Sequence, residues 1–128
     1  MDKKKVLLVD DEVDIIKVIG ARIRSWDYEL IEAKNGKEAL ELIQAKQPDL
    51  VVLDYMLPDM DGVAVLKSIR KINKEIPVIM FTAHPNSMSM HETEKLGISA
   101  YVAKLSVYLD TQSLLRVAID MAFKKLSK

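Results

Sequence analysis

Apolar residues along this chain follow two alternating rhythms. Val6–Val9, Tyr28–Ala33, Leu50–Leu53, Pro77–Phe81 and Ala100–Val102 are short runs rich in β-branched residues, which predicts strands. Between them apolar residues recur at helical spacing. Ile16, Ile19, Ile23 and Trp26 predict one helix face, Ala39, Leu40 and Ile43 a second, and Val65, Leu66, Ile69 and Ile72 a third. Pro85 to Leu96 predicts a weaker fourth helix, with Gly97 as its stop. Leu114, Leu115, Ala118, Met121 and Ala122 predict a fifth, with Asp110 or Thr111 as N-cap.

Strands that alternate with helices imply βαβ units and a parallel sheet covered on both faces. The runs VLLV, LVVL and PVIMF are apolar at consecutive positions, as central strands buried on both faces require. Tyr28–Ala33 alternates more and reads as an edge strand. No linker, repeat or low-complexity stretch interrupts the pattern, so the expectation is one (βα)₅ domain over residues 1–128.

In an open parallel sheet, ligands bind beyond the carboxyl ends of the strands. Four of the five predicted strands deliver polar residues there: Asp10, Asp11 and Glu12 after the first, Asp54 after the third, Thr82 after the fourth and Lys104 after the fifth. Each has a plain structural alternative. The two aspartates and Thr82 suit helix caps, and Lys104 suits a side chain reaching for solvent. Asp54 is harder to explain this way, because a carboxylate ending a buried strand needs a partner. Taken together, the carboxylates call for a positive charge among them, and a hard divalent ion such as Mg²⁺ suits an oxygen-only site. One carboxylate could then act as a nucleophile toward phosphorus, with Lys104 and Thr82 supplying a cation and a hydroxyl to the developing charge.

Composition narrows the choices. Lys plus Arg number 19 and Asp plus Glu 19, so the chain has no basic footprint for nucleic acid. It has no cysteine, which excludes disulfides and thiolate chemistry. The basic start followed by Val6–Val9 is too short for a signal peptide core. No stretch approaches the ~20 apolar residues of a membrane span. The expectation is a cytoplasmic protein that does not engage membranes.

VLLVDDE, DLVVLDYMLPDMDG, VIMFTA and AYVAK together resemble the receiver domains of two-component response regulators (CheY-like), in the right order across essentially the whole chain. The resemblance implies a flavodoxin-like three-layer α/β sandwich with strand order 2-1-3-4-5. It implies Asp54 as phosphoacceptor, Asp10 and Asp11 as the acidic pair that holds Mg²⁺, and Met56 as the residue whose backbone carbonyl completes that site. Thr82 matches the switch hydroxyl, Lys104 the lysine that pairs with the phosphoryl group, and Tyr101 the aromatic that changes rotamer. Pro58 and Gly62 match the turn after the acceptor strand. The implied partners are a sensor histidine kinase or phosphotransfer protein, and an output partner on the face of the fourth helix, fifth strand and fifth helix. The implied state is a monomer or a phosphorylation-linked dimer that catalyses only its own phosphorylation and dephosphorylation.

This chain departs from the family pattern after Lys104, where Leu105 replaces the usual proline. A cis bond there would cost ~2.5–4 kcal/mol, so the expectation is an altered trans loop or a costly cis one. Met56 and His84 fall at positions that tune phosphoryl lifetime in the family. Met88 and Met90 read as core fillers or as a soft partner surface, and His91 as a surface residue. Three other readings compete. A dehalogenase-type Mg²⁺ phosphohydrolase would want an acid where Met56 stands. A flavodoxin-like binding module would want a phosphate-cradling first loop instead of VDDE. A degenerate receiver used for docking would lack some of these site residues.

Overall fold

A computed structural model describes residues 3–83, 87–104 and 109–126. Strands β1 (Lys5–Val9), β2 (Glu29–Ala33), β3 (Leu50–Leu53), β4 (Val78–Thr82) and β5 (Ala100–Ala103) alternate with helices α1 (Val13–Ser25), α2 (Gly36–Lys46), α3 (Gly62–Ile72), α4 (Ser87–Lys95) and α5 (Leu109–Leu126). All four strand pairs are parallel and the order is β2-β1-β3-β4-β5. This is the flavodoxin-like α/β sandwich expected from the sequence.

The consecutive apolar runs divide by alternation between two cores, because successive strand residues face opposite sides. Leu8, Val52, Ile79 and Phe81 pack with Ile19 and Ile23 of α1 and with Leu115 and Ile119 of α5. Leu7, Val51, Val78 and Met80 pack with Ala39 and Ile43 of α2 and with Val65, Leu66 and Ile69 of α3. The less apolar β2 lies at the sheet edge, as its alternation predicted.

Some details differ from the expectation. The buried stripe of α1 runs through Ile15, Ile19 and Ile23, while Ile16 and Trp26 only flank it. In α5, Leu115, Ile119 and Ala122 are buried, whereas Leu114 and Met121 stand 55% and 65% exposed. The sequence assigned Leu114 and Met121 to the core face because three adjacent apolar columns on a helix cannot be told apart by spacing alone. Asp110 and Thr111 lie inside α5 instead of capping it. Gly97 ends α4 as expected, at φ +75°, a conformation that glycine adopts without strain. The expectations for His84, Pro85 and the Lys104–Leu105 bond lie outside the described residues.

Candidate functional site

Strand register gathers the polar residues. Val9 pairs with Leu53 at the carboxyl ends of β1 and β3, so Asp10 and Asp54 emerge side by side. The Asp54 amide still donates to the Val9 carbonyl at 3.0 Å. Thr82 pairs with Ala103 across β4 and β5, and the Lys104 amide donates to the Thr82 carbonyl at 2.7 Å. Alternation then sets direction. Asp10 follows Leu8 by two residues and Lys104 follows Val102 by two, and both leading residues face the α1/α5 core. Asp10, Asp54 and Lys104 therefore meet on one side of the sheet edge.

They meet closely. Lys104 Nζ lies 2.6 Å from Asp10 Oδ2, 3.2 Å from Asp54 Oδ2 and 3.6 Å from Glu12 Oε1. The Lys104 and Asp54 side chains are 5% and 6% exposed and that of Asp10 is fully buried. The Phe81 ring sits beneath the ammonium, 5.6 Å from centroid to Nζ, an arrangement that favours the charged lysine. Asp54 Oδ1 accepts from the Met56 amide at 3.4 Å, and Asp10 Oδ1 from the Glu12 amide at 3.0 Å.

Burial dominates the electrostatics. It raises the Asp54 carboxyl from its ordinary 3.8 to about 6; the Lys104 charge opposes this and the Asp10 charge adds to it. Asp10 is raised as well, again by burial first, against the Lys104 hydrogen bond. Burial alone would lower Lys104, but the hydrogen bond and charge from Asp10, with Asp54, outweigh it and raise that ammonium. The cluster sets three acidic side chains around one cation, since Glu12 joins it from its exposed position.

This acidic cluster has room for a metal. One carboxylate oxygen each from Asp10, Glu12 and Asp54 lies within 4.8 Å of the others. Asp10 Oδ2 is fully buried, with the Lys104 ammonium 2.6 Å away. An oxygen-only, net-negative donor set of this kind fits a hard divalent cation. Asp11, expected in the metal pair, is exposed on the same loop and its carboxylate lies outside this group; Glu12 is inside it. Met56 is 56% exposed beside Asp54. Thr82 is buried at the end of β4, and Tyr101 is half-buried against the α2/α3 core. His91 is exposed on α4, and the Met90 side chain is 38% exposed.

Residues 6–116 match the family model for the response regulator receiver domain. The chain belongs to the response regulator receiver family. As a receiver it is a signalling domain. It is 40% identical over 104 residues to the probable transcriptional regulator ycf27 of Cyanophora paradoxa, covering 81% of this chain and 43% of that protein. It is 37% identical over 101 residues to the alkaline phosphatase synthesis transcriptional regulatory protein PhoP of Bacillus subtilis, covering 79% and 42%. The receiver thus spans less than half the length of these curated relatives. Among solved structures it is similar to the receiver domain of the Francisella response regulator 1452, with a TM-score of 0.84, 31% identity and coverage of 97% and 99%.

Sequence reasoning missed Phe81 as the floor under the lysine, and Asp59, which anchors the loop after Asp54 (below). Neither carries a local signal: one reads as a strand hydrophobe, the other as a turn acid. Among the described residues no helix is long and apolar enough to cross a membrane.

The raised Asp54 carboxyl has a consequence for stability. The native state holds this proton more tightly than the unfolded chain does. Between pH ~4 and ~6 the native state therefore binds more protons, and stability falls as pH rises through that window. Asp54→Asn removes this penalty. It is expected to raise unfolding free energy by about 1–2 kcal/mol at pH 7 without metal, with little gain at pH 4. Urea denaturation at the two pH values checks this; equal gains at both would assign the effect to packing.

Proposed function

We propose that residues 1–128 form a single cytoplasmic receiver module that accepts a phosphoryl group on Asp54. The donor is a phosphohistidine of a sensor histidine kinase or phosphotransfer protein. A carboxylate oxygen of Asp54 bonds to phosphorus as the phosphorus–nitrogen bond breaks, and the imidazole keeps the electron pair and takes a proton. Water later attacks the acyl phosphate, releasing phosphate and restoring the carboxylate. The observation that carries the reading is the buried Lys104 ammonium held between Asp10 and Asp54 at 2.6 and 3.2 Å. A buried carboxylate beside a buried cation supports the assignment of Asp54 as acceptor and Lys104 as the group that would stabilise the transferring phosphoryl.

Asp10, Asp11, Glu12, Asp54 and the Met56 carbonyl are the groups available to hold Mg²⁺. When bound, Mg²⁺ would neutralise charge on the phosphoryl oxygens and on the acceptor. Lys104 would pair with a phosphoryl oxygen, exchanging part of its contact with Asp54 for the new charge. Thr82 would donate its hydroxyl to the same group, and Tyr101 would carry the change to the α4-β5-α5 face where an output partner docks. The domain catalyses only its own phosphorylation and dephosphorylation, as a monomer or a phosphorylation-linked dimer. The curated relatives are named as transcriptional regulators, which supports an output in gene control in a longer protein.

Incubation with Mg²⁺ and acetyl phosphate, followed by intact mass measurement, tests the reading. The expected result is a gain of one phosphoryl group in the wild type and none in Asp54→Asn. No gain in the wild type would overturn it in favour of a docking receiver that no longer takes phosphate.

A further inference from the structure

The first turn of α2 is satisfied in an uncommon way. A helix start leaves several backbone N–H groups without intrahelical partners. Asn35, the N-cap, accepts from the Glu38 amide through Oδ1 at 2.8 Å. The two amides that water would ordinarily take are held by one distant carboxylate. Asp59 accepts from the Gly36 amide at 2.8 Å through Oδ1 and from the Lys37 amide at 2.9 Å through Oδ2. These two bonds lead the causes that hold its carboxyl below the ordinary range. A carboxylate at a helix N-terminus also meets the positive end of the helix dipole.

Asp59 lies in the loop that follows Asp54, and that loop is pinned elsewhere too. At its base the Gly62 amide donates to the Tyr55 carbonyl at 2.6 Å, and Met56 and Asp61 form an isolated antiparallel bridge. Asp61 caps α3 by accepting from the Ala64 amide at 2.8 Å. At its tip Met60 packs so closely on Gly36 that a side chain there would collide with it. The base sets where the loop leaves the sheet; the Asp59 bonds set where its tip rests on α2. Between them stands Met56. Its amide reaches Asp54 Oδ1 at 3.4 Å, near the limit of a hydrogen bond, so a shift of a few tenths of an ångström would break it.

We infer that Asp59 is a positioning residue for the acceptor site: by bracing the β3–α3 loop on the N-terminus of α2, it holds the Met56 backbone against Asp54 and the metal. The inference rests on the phosphoacceptor reading for its functional consequence, but not for the brace itself. Supporting groups one step removed from a metal commonly change its affinity by roughly 10-fold or more when deleted.

Asn35→Ala is the control, because it removes a cap from the same helix turn without touching the loop. Wild type, Asp59→Ala, Asp59→Asn and Asn35→Ala are compared by urea denaturation, calorimetric Mg²⁺ titration, labelling rate with acetyl phosphate, and amide exchange at Met56. Asp59→Ala is expected to weaken Mg²⁺ binding roughly 10-fold, slow labelling and speed Met56 exchange. Asp59→Asn, which keeps one acceptor, falls between it and the wild type. Asn35→Ala loses stability but keeps Mg²⁺ affinity and labelling. Wild-type affinity and labelling in Asp59→Ala, or equal losses in Asn35→Ala, would overturn the inference. A wild type that takes neither Mg²⁺ nor a phosphoryl group would sink the phosphoacceptor reading instead. Met56 exchange would then decide the brace: faster in Asp59→Ala than in Asn35→Ala supports it, and equal rates overturn it.

Discussion

Lys104→Met is expected to destabilise the domain by about 3–5 kcal/mol at pH 8, the usual consequence of leaving buried charge unpaired, and by far less at pH 5. The methionine fills a similar volume over Phe81, so the loss is electrostatic and not a cavity. Asp10 and Asp54 are buried and already raised with the lysine present, burial being the larger cause. Without the ammonium both rise further. Toward acid pH they take up protons in the folded state and demand no cation. As pH climbs, folding forces them to stay protonated or to carry unpaired charge, while the unfolded chain ionises freely. Stability must therefore fall with rising pH, more steeply than in the wild type. Urea denaturation across this range measures it. A loss independent of pH would mean that Lys104 matters through its packing on the Phe81 ring, 5.6 Å from the ammonium. Millimolar Mg²⁺ should recover part of the loss at pH 8, since it supplies the missing positive charge to the same carboxylates.

The sheet was legible because β1, β3 and β4 are central. Runs such as LVVL are apolar on both faces, and only a buried parallel strand makes that pattern stable. Asp54 stood out for a related reason, since a carboxylate directly after LVVL is buried and needs a partner. Alternation could also have placed Asp10, Asp54 and Lys104 on one side of the sheet once the register was known, but register is a tertiary property. What could not be read was any bond between segments far apart in sequence. Asp59 on α2 spans 22 and 23 residues. Arg70 is similar: it donates to the Ile76, Leu96 and Gly97 carbonyls at 2.7, 2.7 and 3.0 Å. It ties α3 to the end of α4 while its sequence context says only that it is a charge on a helix. Glu12 was visible as one of three acids after β1, but loop geometry decides that its carboxylate, not that of Asp11, joins Asp10 and Asp54. The exposed Leu114 and Met121 escaped for the opposite reason, since α5 offers more apolar residues than one face can bury.

Gly62→Ala should reverse the sign that helix propensity predicts. Gly62 is the first residue of α3 and has no positive φ, so alanine would ordinarily favour the helix and restrict the unfolded chain, a gain of about 0.4–1 kcal/mol. Sterics oppose this. An added Cβ would lie 2.8 Å from Tyr55 Cα, 2.9 Å from the Asp54 carbonyl oxygen and 2.9 Å from Met80 Cε. The methionine methyl can move aside, but the other two are backbone atoms of Asp54 and Tyr55, just after β3. They are tied further by the 2.6 Å bond from the Gly62 amide to the Tyr55 carbonyl. Relief requires α3 and the β3–α3 loop to separate by roughly half an ångström, and overpacking of this kind costs about 1–3 kcal/mol, which outweighs the propensity gain. The displaced atoms belong to Asp54 and Tyr55, so the damage should also reach the site: the Met56–Asp54 bond at 3.4 Å has no slack. The expected result is a net loss of about 1–2 kcal/mol in urea denaturation together with slower labelling by acetyl phosphate. A stabilised variant that labels normally would show that the β3–α3 loop yields more easily than its hydrogen bonds imply.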